Sequence, residues 1–290
     1  KTGYDFVGWF LKEEGNTEGT QITADKKVTI TDNITLTAKW KAKTYTVTFD
    51  ADGGSATSQT KEVIYNKEYG ELPTPTKTGY DFVGWFLKEE GNTEGTQITA
   101  DKKVTVTNNI TLTAKWEAKT YTITFNADGG SITSQTKEVI YNNEYGELPT
   151  STKTGYTFAG WYTDKISGNK VNETDHYTSA GNTTLYAHWA EATFKVTLEY
   201  YEGHKELDIE PASINVTYNG TYKEISKVVP ERTGYTFKGW YDQETGGEQI
   251  TKDTKVEVID NNTKLYAQWE NNQYTISFDP NQGLVEPEKK

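Results

Sequence analysis

The sequence predicts a mainly β, α+β-type protein built from small tandem units in an elongated array, and three observations carry that prediction. First, GYDFVGW occurs at Gly3–Trp9 and Gly79–Trp85, with the variants GYTFAGW at Gly155–Trp161 and GYTFKGW at Gly234–Trp240. The spacing is 76 residues (79 − 3), 76 again (155 − 79) and then 79 (234 − 155), which marks a repeat architecture. Second, ITLTAKW, ITLTAKW, TTLYAHW and TKLYAQW close on Trp40, Trp116, Trp189 and Trp269, so all 8 Trp fall on two repeated positions. Third, the segments between these marks alternate Thr with Tyr, Val, Ile and Phe, the period-two pattern of half-buried strands.

Each unit opens with an alternating strand, Tyr45–Phe49, repeated at Tyr121–Phe125, Phe194–Leu198 and Tyr274–Phe278. A Gly-rich turn follows, DADGG at Asp50–Gly54, NADGG at Asn126–Gly130 and DPNQG at Asp279–Gly283. A second strand comes next at Glu62–Tyr65, Glu138–Tyr141 and Ile214–Tyr218. Pro73 and Pro75 then exclude a continuous helix or central strand, so Tyr69–Tyr80 is expected to cross the sheet with at most one helical turn.

The signature strand Tyr80–Phe86 is expected to place Tyr80, Phe82 and Phe86 on one face and Val83, Trp85 and Leu87 on the other. Gly84 would let a neighbouring aromatic or backbone approach closely. A polar stretch follows, with a short strand expected near Val104–Thr107, and the unit ends on the alternating strand Ile110–Trp116.

Complete units therefore span about 44–116, 120–189 and 193–269, with the second half of a unit at 1–40 and an opening strand at 274–290. The joints, such as Lys41–Thr44 and Glu117–Thr120, are too short for free tethers and should hold neighbours nearly in line. Lys1–Trp40 and Lys77–Trp116 differ only at Ile30/Val106 and Asp32/Asn108.

Composition narrows the function. Hydrophobic residues make up only 33% of the chain, so the core is thin and the 13% aromatics must supply much of its area. A net charge of −12 repels phosphate backbones and anionic lipid, which argues against nucleic-acid partners and direct membrane insertion. With 0 Cys there are no disulfides and no thiolate chemistry. Without an initiator Met or an apolar run of signal or transmembrane length, the sequence reads as a mature or excised piece of something larger.

The ordered motifs VTFDADGG at Val47–Gly54, Tyr65–Pro73, Gly79–Phe86 and Leu112–Trp116 resemble the Listeria–Bacteroides repeat, or InlB B-repeat, of bacterial cell-surface proteins. Counterparts lie at Val196–Gly203, Tyr218–Pro230, Gly234–Tyr241 and Leu265–Trp269. Two departures are visible: FKVTLEYYEG at Phe194–Gly203 lacks the DxxGG turn, and the first two copies end in LTAKW rather than LYAxW. The resemblance implies small β-grasp-like (ubiquitin-like) units on an exported protein, secreted or held at the bacterial surface, with no catalytic residues.

Reactive constellations are sparse. His176, His188 and His204 sit at non-equivalent repeat positions and do not converge on a metal. Asp50-Ala-Asp52 has alternating oxygens like a Ca²⁺ loop but lacks its length and terminal Glu, and reads as a hairpin turn. Glu13/Glu14 and Glu89/Glu90 read as solvated charge, and Gly246-Gly247 lacks the strand-to-helix context of a phosphate loop. No cofactor is expected.

The candidate binding residues are the repeated aromatics Trp9, Trp85, Trp161 and Trp240, which would form a ladder if exposed and core if buried. The expected function is a non-enzymatic stalk or spacer presenting a distal domain. The alternative is an adhesive module that binds host or cell-wall protein or glycan by avidity. The incomplete ends at 1–40 and 274–290 further suggest head-to-tail self-association by strand addition.

Overall fold

The computed structural model describes residues 1–27, 29–89, 91–200 and 211–279. Within them the regular secondary structure is all strand apart from one short 3₁₀ turn at Lys223–Lys227. It divides into two compact units, one of 1–124 with 136–147 and 173–183, the other of 125–135 with 148–172 and 184–290.

The first unit contains a three-stranded antiparallel sheet in the order Asn16–Ile22, Tyr4–Glu13, Leu36–Ala42. A five-stranded sheet follows in the order Thr60–Ile64, Thr44–Asp50, Ile110–Ala118, Tyr80–Glu89, Asn92–Ile98. Its opening and closing strands run parallel, Val47 opposite Ile110 and Phe49 opposite Leu112, while every other pair is antiparallel. A parallel pair needs a crossover, and the Pro-containing segment after Ile64 supplies part of it without a helix. The same unit holds Thr120–Thr124, paired antiparallel with Thr136–Ile140.

In the second unit, Tyr156–Tyr162 pairs antiparallel with Tyr186–Glu191 and with the two-residue strand Lys170–Val171. A five-stranded sheet has the order Ser213–Thr217, Thr193–Glu199, Lys264–Asn271, Tyr235–Tyr241, Gln249–Ile250, again with its opening and closing strands parallel. The 3₁₀ turn Lys223–Lys227 is the single helical turn that the crossover was expected to allow, and it buries Ile225.

The cores follow from strand alternation. In Thr44–Asp50 the inward Val47 and Phe49 are buried while Thr48 faces out. They join Val63, Tyr69, Trp85, Ile98, Val104, Leu112 and Ala114 in one cluster. Each such aliphatic or aromatic side chain contributes about 1.5–3 kcal/mol by leaving water.

Four details depart from the sequence-based expectation. The signature strand is bulged: Phe82 pairs with Trp116 and Gly84 with Lys115, leaving Val83 unopposed. The bulge resets the alternation, so Phe82 and Leu87 pack with buried Trp85 while Val83 faces solvent. The polar stretch Asn92–Ile98 is a full edge strand, tolerated because an edge needs no second apolar face.

Val104–Thr107 forms no strand. Val104 is instead fixed by its N–H to the Lys67 carbonyl and by the Asn66 N–H to its own carbonyl. Tyr274–Phe278 is also not a strand, and Tyr274, Ile276 and Phe278 stand exposed, with no strand pairing with them among the described residues. Residues 280–290, including most of the DPNQG turn and the rest of the expected opening strand, lie outside the described residues, as do Tyr201–Gly203, Glu90 and His204.

Candidate functional site

The two Trp positions are structural anchors with one bonding scheme. The signature indoles donate Nε1–H to the crossover backbone: Trp85 to Pro73 O at 2.7 Å, Trp161 to Pro149 O at 2.6 Å and Trp240 to Val228 O at 2.8 Å. The closing indoles donate to the turn after the opening strand: Trp116 to Ala51 O at 3.0 Å, Trp189 to Ala127 O at 3.0 Å and Trp269 to Tyr200 O at 2.9 Å. A buried indole N–H needs an acceptor. These bonds explain why the four motifs recur in a fixed order, because each Trp ties its own motif to another.

Of the candidate aromatics, Trp85 and Trp161 are 2% exposed and Trp240 is 3% exposed. They are core, packed on Phe49, Phe125 and Tyr200 at 4.9, 4.8 and 5.2 Å between ring centroids. Trp9 alone of the four is open, at 49% exposure. The four therefore form no exposed ladder, because a sheet this thin uses the indole as its filling. Burial also pushes the Tyr69, Tyr145 and Tyr222 phenols above the ordinary tyrosine range.

The bulge is held by a side chain that sequence reasoning did not single out. Gln97 donates Nε2–H to Val83 O at 3.3 Å, as Gln21 does to Val7 O at 3.1 Å and Gln249 to Lys238 O at 3.0 Å. Gly84 has φ of +155°, and a methyl on it would overlap the Gln97 amide. The close neighbour of Gly84 is thus an amide side chain, not an aromatic or backbone group. A Gln five positions past an Asn in NTEGTQI was the available signal.

The remaining polar candidates are occupied locally. Asp52 N–H bonds Asp50 Oδ1 at 3.0 Å and Lys77 Nζ donates to Asp52 O at 2.9 Å. In the next repeat Asn126 Oδ1 accepts from Asp128 N–H at the same 3.0 Å, so the position needs an acceptor and not a charge. The Lys165 ammonium, 2.7 Å from Asp128, holds that carboxyl below its usual range. His188 stacks on Tyr162 at 3.8 Å with Nε2 2.9 Å from Asp164 O, while His176 is exposed. Glu13 accepts from Thr20 Oγ1 at 2.9 Å, and Gly246 O accepts from Gln268 Nε2 at 2.6 Å within a turn.

The junctions between repeats share a geometry that the sequence did not disclose. Gly79 O accepts from Lys119 N–H at 2.9 Å, and Lys119 O accepts from Tyr141 N–H at 2.9 Å. Gly79 lies against the Tyr141 ring with φ of +79°, so closely that a Cβ would enter the ring. Tyr80 meets the same ring edge-on at 5.4 Å and 78°. Gly3, Lys43, Tyr4 and Tyr65 repeat this arrangement, as do Gly155, Ala192, Tyr156 and Tyr218, each with ring centroids 5.4 Å apart. The following Asn66, Asn142 and Asn219 all take left-handed φ of 60–63°, which Asn tolerates better than most residues. A Gly-Tyr pair in one repeat and a Tyr-Asn turn in the next therefore form one device.

A series of small sheets with recurring indole anchors and a recurring repeat-to-repeat contact defines a tandem-repeat β protein. The chain belongs to the Listeria–Bacteroides repeat domain family, whose model matches residues 1–39, 45–115, 121–188 and 194–268. It is 34% identical over 286 residues to a protein of Evansella cellulosilytica described as a Gly-rich membrane protein, covering 98% of this chain and 31% of the relative. A second protein of that bacterium, described as a membrane protein, is 34% identical over 280 residues, covering 96% and 40%. Internalin H of Listeria monocytogenes is 38% identical over 148 residues, covering 51% and 25%. The chain thus spans less than half the length of each of these relatives. Among the described residues no helix is long and apolar enough to cross a membrane.

Proposed function

We propose that this chain is a non-enzymatic spacer on the outside of a bacterial cell, made of β-grasp-like units at 44–116, 120–189 and 193–269, which carries a distal functional domain away from the surface. The carrying observation is the joint: one Gly-Tyr to Tyr-Asn contact occurs at three successive junctions with the same 5.4 Å ring separation. A contact repeated this closely fixes how one unit follows the next, which a spacer needs. The parallel central pair, flanked by antiparallel strands, supports the β-grasp reading. Among the described residues of the complete units, the exposed large apolar side chains are the aliphatics Ile64, Val83, Ile140, Ile166, Val229 and Ile259, which supports a stalk over an aromatic binding platform. The names of the two Evansella relatives support the cell-envelope location.

Small-angle X-ray scattering on the intact chain, and on a version with a second copy of Glu117–Trp189 inserted after Trp189, tests this role. The spacer reading expects the maximum dimension to grow while the cross-section stays constant. A compact particle that grows in all directions would contradict it and favour the adhesive module, whose composite surface would bind protein or glycan.

The same proposal includes self-association by strand addition. Phe6, Trp9 and Trp40 are exposed on the three-stranded sheet, and Tyr274, Ile276 and Phe278 are exposed with the spacing of Tyr45, Val47 and Phe49. Light scattering over a concentration series checks it: rising mass supports the association, and a constant monomer mass rules it out.

A further inference from the structure

We infer that the surface formed by Gly234, Tyr235 and the Asn272 backbone is an open half-joint, whose partner is the Tyr-Asn turn of a further repeat unit of the same family. The three occupied joints define what such a surface binds. In each, a Gly at φ of +73 to +79° presents its hydrogen-only face to a Tyr ring. The neighbouring Tyr meets that ring edge-on, and one linker residue links the two repeats through both its N–H and its carbonyl.

Every element of the donor half is in place at the fourth site. Gly234 has φ of +81°, and Asn272 N–H donates to its carbonyl at 2.9 Å, as Lys43, Lys119 and Ala192 do at the other three. Arg232 lies over the Tyr235 ring at 3.7 Å, the place Lys77 and Lys153 take over Tyr80 and Tyr156. What differs is the occupant. Among the described residues nothing lies within 4 Å of the position a Gly234 Cβ would fill, and Gly234 is half-buried where Gly3, Gly79 and Gly155 are buried.

The required partner chemistry is narrow. The ring must be flat enough to lie on a glycine and must meet a Tyr edge-on. Its backbone N–H must reach the Asn272 carbonyl, and the next residue must accept a left-handed φ. A Tyr-Asn turn meets all four conditions, as Tyr218-Asn219 does, where the Asn adds a bond from Nδ2 to the Tyr156 hydroxyl at 2.7 Å. The inference rests on joint geometry and holds whichever role the array plays.

Proton NMR of the intact chain reads the joint directly, because α-protons facing an aromatic ring shift upfield. The α-protons of Gly3, Gly79 and Gly155 should lie upfield and those of Gly234 should not, and Tyr141→Ala should return Gly79 to the Gly234 position. The chain is then lengthened after Phe278 with a copy of residues 50–116, so that Tyr274–Phe278 opens an added unit. Gly234 should move upfield to join the other three, and Tyr65→Ala within the added copy should reverse that move. A second extension, using a copy of residues 126–189, repeats the test with Tyr141 as the docking ring should the first not fold.

A folded added unit that leaves Gly234 unmoved would overturn the inference. So would an upfield shift that survives removal of the added Tyr, or a Gly79 resonance indifferent to Tyr141→Ala. None of these readouts depends on particle length, so failure here is separable from failure of the spacer role.

Discussion

Lys1–Trp40 and Lys77–Trp116 differ at only two positions, yet one stretch lies open and the other forms a core. Trp9 is 49% exposed and Trp85 2%. Ile30 and Ile34 are exposed, whereas their counterparts Val106 and Ile110 pack against buried side chains. The closing strand is Leu36–Ala42 in the first and Ile110–Ala118 in the second.

Local structure nevertheless matches in detail. Both bulge at the same place, both hold the bulge with a Gln amide, and both set a Lys–Glu pair beside it, Lys39–Glu18 at 2.8 Å and Lys115–Glu94 at 2.7 Å. The difference comes from Thr44–Asp50 and Thr60–Ile64, which give the second stretch a parallel neighbour and lay Phe49 on Trp85. Strand geometry is therefore encoded within the forty residues, while burial is supplied from outside them.

That contrast can be broken by substitution. Trp85→Ala should destabilise its sheet by about 3–5 kcal/mol, because a buried indole leaves a cavity. Trp9→Ala should stay within about 0.5 kcal/mol. Residue-resolved hydrogen exchange under mild denaturant measures both in one chain, and equal effects would remove the distinction. Next in size, Trp85→Phe keeps most of the apolar area but strands the Pro73 carbonyl, at a cost of about 1–3 kcal/mol. Trp9→Phe should be neutral in the same assay.

Gly8→Ala and Gly84→Ala sharpen the comparison from the other side. Both glycines have φ near +155° and both touch a Gln amide, so each should cost about 1–3 kcal/mol from backbone strain, whatever the burial of the nearby Trp. Matching losses in the two stretches would confirm that the bulge is local.

The smallest effect is electrostatic. Hydrogen bonds from Lys39 and Lys115 hold the Glu18 and Glu94 carboxyls below the usual glutamate range. Since the folded-state value is depressed, the stabilisation is present above the ordinary glutamate value and is lost as pH falls through the lowered one. Carbon-detected NMR titration should give the two residues the same midpoint, and a higher one for Glu94 alone would mean that core burial reaches the pair.

Much of this was legible in the sequence, and the failures share a cause. The alternation in Tyr45–Phe49 and Ile110–Trp116 gave their strands because one face of each is buried. Pro73 and Pro75 marked a crossover because proline has no N–H to give. The face assignment in Tyr80–Phe86 failed because one unopposed residue, Val83, inverts everything after it, and no single residue announces a bulge. Asn92–Ile98 was invisible as a strand because an edge needs no apolar period.

The joint was missed because its halves lie far apart in the chain, Gly79 and Tyr141 being 62 residues apart (141 − 79) and Gly155 and Tyr218 63 (218 − 155). Gly-Tyr stood unchanged in all four repeats without a role inside its own unit. That surplus was the signal.

Amide hydrogen exchange across the intact chain tests the central claim most directly, by comparing Leu36–Ala42 with Leu112–Ala118, which differs from it only at Lys41/Glu117. The account predicts much slower exchange in the second, since its opening strand shields it, with strong protection also at the joint amides of Tyr65, Tyr141 and Tyr218. Equal protection in the two closing strands, or fast exchange at the joints, would contradict it.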